Sequence, residues 1–101
     1  MTRTIKLSKR AAKNLDKLLE YLENEWTVKV RDEFINRLDN SLKIIAKNPD
    51  SFPNSDFIKG LHKCVITKQT TLYYRFDKKH IYVITIFDNR QNPKKLSKSR
   101  S

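Results

Sequence analysis

A chain of 101 residues with 22 Lys/Arg against 11 Asp/Glu carries a formal net charge of +11, and its length suits one domain with one modest core. An apolar fraction of 38% beside 33% charged residues is lean, yet helical and alternating apolar patterns persist throughout, which excludes a disordered chain. One cysteine excludes an internal disulfide framework, two histidines leave no zinc quartet, and one glycine excludes P-loop and dinucleotide-binding readings.

The opening MTRTIKLSKR lacks the apolar core of a signal peptide. No apolar run approaches the ~20 residues of a membrane span. A soluble, cytoplasmic protein without cofactor or metal is expected. In chain order, Thr4-Ile5-Lys6-Leu7 alternates as a short strand, and Ser8 suits a helix N-cap. Ala11, Leu15, Leu18, Leu19 and Leu22 recur at helical spacing, predicting a helix over about 9–25. Thr27 then caps a second helix, with Val30, Phe34, Leu38, Leu42 and Ile45 as its apolar stripe and Ile35 widening it. Asn48-Pro49 ends that helix, and so short a junction predicts an antiparallel helical hairpin.

Residues 49–60 hold two prolines and the single glycine and read as a loop, with Phe52 and Phe57 expected to anchor it to the core. Three strands follow, over 61–67, 71–77 and 81–87. The second of these turns Leu72, Tyr74 and Phe76 inward and Thr71, Tyr73 and Arg75 outward. The last is apolar on both faces, with Ile81, Val83 and Phe87 opposed to Tyr82, Ile84 and Ile86. Such a strand is central and covered on both sides, while two helices cover only one. A partner peptide is expected on the other. Cys64 falls on the apolar parity of its strand and reads as a small buried hydrophobe.

The charge is lopsided. Residues 1–58 hold 11 Lys/Arg and 9 Asp/Glu, whereas residues 59–101 hold 11 and only 2. An acidic partner follows: nucleic acid, an acidic protein or an anionic surface. The outward set Lys63, Tyr73, Arg75 and Arg90 joins cations to a stacking plane and is the candidate site for a target or nucleic acid. Asp88 either starts the turn after the last strand or pairs with Arg90. No histidine, tyrosine or carboxylate follows Arg90, so an obvious proton carrier is missing there.

Leu72-Tyr73-Tyr74-Arg75-Phe76, a turn, and Ile81 to Pro93 (IYVITIFDNRQNP) resemble the ending of the RelE/ParE superfamily of bacterial toxins. The resemblance implies an α+β domain over residues 1–96, β-α-α-β-β-β, with a helical hairpin packed on an antiparallel sheet of order 1-4-3-2. Residues 97–101 would be a basic, disordered tail. It also implies a type II toxin, held in a hetero-oligomer by an acidic antitoxin whose C-terminal segment wraps it. Tyr82, Ile84 and Ile86 are the expected antitoxin contacts. RelE-like members cut mRNA on the ribosome, and ParE-like members inhibit DNA gyrase.

Of the nuclease set that the resemblance implies, Lys63 and Arg90 match. Val65 stands at the second lysine, Thr71 at an arginine, and Leu96 is nearest to the tail aromatic. Each lost group costs such chemistry about 10²–10⁴-fold. A gyrase-binding, ParE-like toxin without catalytic residues is therefore the expected function. The alternatives are an mRNA endonuclease, using Lys63, Arg90, Tyr73 and His62 at the ribosome, and a remnant that only binds its antitoxin.

Overall fold

The computed structural model describes residues 2–90. The 1–96 domain boundary, Leu96 and the basic tail lie outside the described residues. Strand β1 (Thr4–Leu7) leads into α1 (Lys9–Glu25) and α2 (Val28–Lys47), followed by β2 (His62–Val65), β3 (Thr70–Phe76) and β4 (His80–Asp88). The strand boundaries lie within a residue or two of those expected. A single 3₁₀ turn, Pro49–Ser51, opens the connection after α2 and refines the expected loop.

Local chemistry sets the helix ends. Ser8 Oγ accepts the Ala11 amide at 2.9 Å, and Thr27 Oγ1 accepts the Val30 amide at 3.0 Å. Each hydroxyl thus serves one of the amides that a helix start leaves unpaired. Pro49 follows the α2 C-cap, Asn48. Ala11, Leu18 and Leu22 of α1 meet Phe34, Leu38 and Ile45 of α2 over a sheet floor that includes Leu72, Tyr74, Ile81 and Val83. Two predicted core residues depart from this. Ile35 is more than a third exposed, because the stripe facing the sheet is narrower than its sequence pattern, and Phe57 is 85% exposed.

The sheet order is β1-β4-β3-β2, as expected. It is mixed rather than wholly antiparallel, because β1 pairs parallel with β4. The helical hairpin goes out and returns, and the Arg3 amide bonds the Ala46 carbonyl at 3.1 Å beside the start of β1. The next strand can therefore run in β1's direction, and two further reversals bring β4 parallel to it.

β1 ends opposite Val83, leaving the second half of β4 with an edge. Side chains of α1 close it: Ser8 Oγ donates to the Ile84 carbonyl at 2.7 Å, and Asn14 Nδ2 to the Ile86 carbonyl at 3.2 Å. Ser8 therefore caps a helix and a strand edge at once. The opposite edge, β2, is covered by the connection. Lys63 N bonds the Pro53 carbonyl at 2.8 Å, and Ser55 N bonds the Leu61 carbonyl at 2.7 Å.

Candidate functional site

Helices cover one face of the sheet and leave the other open. Lys63 pairs across strands with Tyr73, and Arg75 with Tyr82, which in turn pairs with Lys6 on β1. Residues directly opposite share a face. Cations and aromatic rings therefore form two transverse rows, Lys6–Tyr82–Arg75 and Tyr73–Lys63, with Val65 beside them at 59% exposure. The Arg75 guanidinium lies over the Tyr82 ring, 5.0 Å from its centroid.

The Tyr82 hydroxyl donates to Asp77 Oδ2 at 3.1 Å, and Asp77 Oδ1 accepts the Lys79 and His80 amides at 2.8 and 2.7 Å. Those amide bonds hold the Asp77 carboxyl below the usual range. Local desolvation, and then the bond to Asp77, raise the Tyr82 phenol, so it keeps its proton near neutrality. Such a face can attract anions and stack planar groups. It also carries His80, whose Nδ1 lies 3.3 Å from the Tyr82 hydroxyl and 3.7 Å from Asp77 Oδ1.

Three sequence-predicted site residues sit elsewhere. Arg90 belongs to the helix-covered side, at the far end of β3. Its Nη2 contacts Asp88 Oδ2 at 2.8 Å and its guanidinium lies 5.9 Å from the Trp26 ring. Asp88 pairs in register with Thr70, five residues before Arg75, so roughly 17 Å of strand separates the two ends. Lys63, Tyr73 and Arg75 share the open face, whereas the Arg90 guanidinium turns to Asp88 and Trp26.

Asp88 does both things left open by its sequence: it accepts the Arg90 amide at 2.9 Å, as a turn residue, and pairs with the guanidinium. The Thr70 hydroxyl also donates to it. Burial pushes the Asp88 carboxyl up, but the bonds from Arg90 and Thr70 outweigh this and leave it below its ordinary value.

His62 lies on the opposite face from Lys63, since neighbouring strand residues alternate. Its ring stacks on Tyr74 at 5.3 Å, and Nδ1 contacts the Phe52 carbonyl at 2.9 Å. It therefore cannot serve as a proton carrier beside Lys63 and Tyr73.

Ile86 is the third correction. It is 4% exposed and part of the core. Tyr73 pairs with Thr85 but Tyr74 with Val83, so Ile84 is an extra residue on β4. Such a bulge resets the alternation, turning Ile86 toward the helices and Phe87 outward. Tyr82, Ile84 and Phe87 are the large apolar or aromatic β4 side chains left for a partner on the open side, with His80 and Thr85 beside them.

Cys64 is buried, and burial raises its thiol, which suits packing rather than nucleophilic attack. Among the described residues, no three His, Cys, Asp or Glu side chains gather as a metal site, and no helix is long and apolar enough to cross a membrane.

Solved structures with the same fold include the chromosomal ParDE system from P. aeruginosa, at a TM-score of 0.70 and 13% identity over 86% of this chain and 96% of that one. The E. coli DinJ–YafQ toxin–antitoxin complex matches at 0.61 and 13%, over 91% and 98%. The YoeB dimer from Staphylococcus aureus matches at 0.59 and 17%, over 86% and 97%. At these identities the likeness concerns the fold alone. A comparison with curated protein sequences returns no match. The family model for the ParE toxin of the type II toxin–antitoxin system parDE matches residues 5–93, nearly the whole domain. The chain belongs to the ParE toxin family, within the RelE/ParE superfamily of type II toxins.

Proposed function

We propose that this toxin acts in the cytoplasm by binding DNA gyrase through the open sheet face, centred on Lys63, Tyr73 and Arg75, with no catalytic residue of its own. The observation that carries this reading is the separation of Arg90 from that face. The arginine matching the nuclease branch is held by buried Asp88 on the other side. The cations and rings left on the open face suit association with an acidic surface. The test is supercoiling by purified gyrase, which the purified toxin inhibits at micromolar concentration; unaffected supercoiling refutes the reading.

An acidic antitoxin neutralises the toxin in a hetero-oligomer. Its extended segment covers Tyr82 and Ile84 and reaches the edge of β1, which no strand pairs among the described residues. The relatives from P. aeruginosa and E. coli, solved as toxin–antitoxin systems, support such a partner.

The second reading is ribosome-dependent mRNA cleavage by Lys63 and Tyr73. The likeness to E. coli YafQ and to E. coli toxin RelE favours it. Codon-positioned 5′ ends on messages from induced cells would establish it, and their absence removes it. Normal growth on expression without the antitoxin would mark the chain as a remnant.

A further inference from the structure

Phe57 is the most exposed large apolar residue of the described chain, at 85%, and Ile58 beside it is 41% exposed. Their loop is tightly held. Ser55 Oγ accepts the Phe57 and Ile58 amides at 3.1 and 3.0 Å, and the Leu61 amide bonds the Ile58 carbonyl at 3.2 Å. Gly60 closes the turn at φ 88°, a conformation side chains disfavour. An apolar tip that costs solubility is thus carried on a pre-ordered loop, and pre-ordering lowers the entropic cost of docking.

The location limits what can meet it. The loop's own backbone, at Pro53 and Ser55, occupies the β2 edge, so an extended peptide finds no free pairing groups beside the tip. A partner there must be a folded surface with a pocket for an aromatic side chain. Its sign follows from the surroundings: Asp56 precedes the tip, Lys59 and Lys63 follow it, and the chain as a whole carries a net charge of +11. The edge of β1, where an extended antitoxin segment fits, lies across the sheet, roughly 14 Å away at ~4.8 Å per strand.

We infer that Phe57 is an aromatic anchor that inserts into an apolar pocket on the acidic surface of the toxin's folded protein target. This rests on the binding reading above and names the residue that seats the toxin. Lys63 and Arg75 supply attraction and orientation, and Phe57 supplies residence time.

The test expresses the toxin alone, without antitoxin, as wild type, Phe57→Ser and Phe57→Trp, and counts surviving colonies while thermal melting monitors the fold. Phe57→Ser is expected to restore survival, since truncating an aromatic anchor weakens binding by about 30-fold or more. Phe57→Trp keeps the arrest, and all three proteins melt alike. Phe57→Ser killing as well as wild type overturns the inference, and so does a lowered melting temperature that accounts for its effect. Wild-type arrest with gyrase supercoiling untouched refutes the gyrase reading alone and leaves the Phe57 comparison intact. A harmless wild-type toxin overturns both.

Discussion

The two faces of the sheet use the same residue types to opposite ends. On the helix-covered side Arg90 meets a buried carboxylate, Tyr74 is wholly buried with its hydroxyl on the Pro49 carbonyl at 2.6 Å, and His62 is stacked into place. On the open side Arg75 rests on Tyr82, and Tyr73 pairs with Lys63. An arginine and a tyrosine serve packing on one face and lie on the open surface on the other. Residue type alone does not tell them apart; the direction of each side chain does.

The largest expected effect breaks the comparison at its tyrosines. Tyr74→Ala removes a fully buried ring and should cost about 3–5 kcal/mol in denaturant unfolding. Tyr73→Ala, one residue away on the open face, should cost under about 1 kcal/mol. Similar losses at both positions would mean that the open face is packed after all.

Next comes the Asp88 node. Asp88→Ala leaves Arg90 and Thr70 without their acceptor and should cost about 3 kcal/mol. Because the folded Asp88 carboxyl titrates below its ordinary value, its contribution is complete above the unfolded value and fades as the pH falls through the folded one. Wild-type stability should therefore drop more steeply than that of Asp88→Asn below about pH 4. Parallel pH profiles would contradict this.

Gly60→Ala meets no atom within 4 Å but must adopt φ 88°, so a cost of about 1 kcal/mol from the backbone is expected. Smallest of all is Glu23→Gln, which removes the ion pair between α1 and α2 to Arg31. That pair is solvent-screened, and the unfolding midpoint should not move measurably.

Much of this division was legible in the chain, for reasons that differ by residue. Ser8, Thr27 and Pro49 act on their immediate neighbours, so their sequence positions suffice to place the helix ends. The alternation of Leu72 to Phe76 also holds, because β3 pairs on both sides with one face buried. In Val83-Ile84-Thr85-Ile86 a single threonine, common on either face of a strand, does not mark parity, so nothing local signals the extra residue at Ile84, and simple alternation puts Ile86 on the wrong face. An aromatic residue in a loop usually finds the core, which is why the sequence points to Phe57 as an anchor; the turn around Ser55 holds it out instead. The direction of Arg90 depends on Asp88 facing Thr70 across the sheet, a long-range pairing that sequence spacing does not encode.

The central claim is that the open face binds the target while the covered face only supports it. The most direct measurement is a supercoiling titration of purified gyrase with wild-type toxin and with the double variant Arg75→Ala/Tyr82→Ala. Wild type should inhibit at micromolar concentration, and the double variant, folded as wild type, should need at least about tenfold more, as expected on losing roughly 1.4 kcal/mol of binding. Equal inhibition by the two proteins, or none by wild type, would contradict the account.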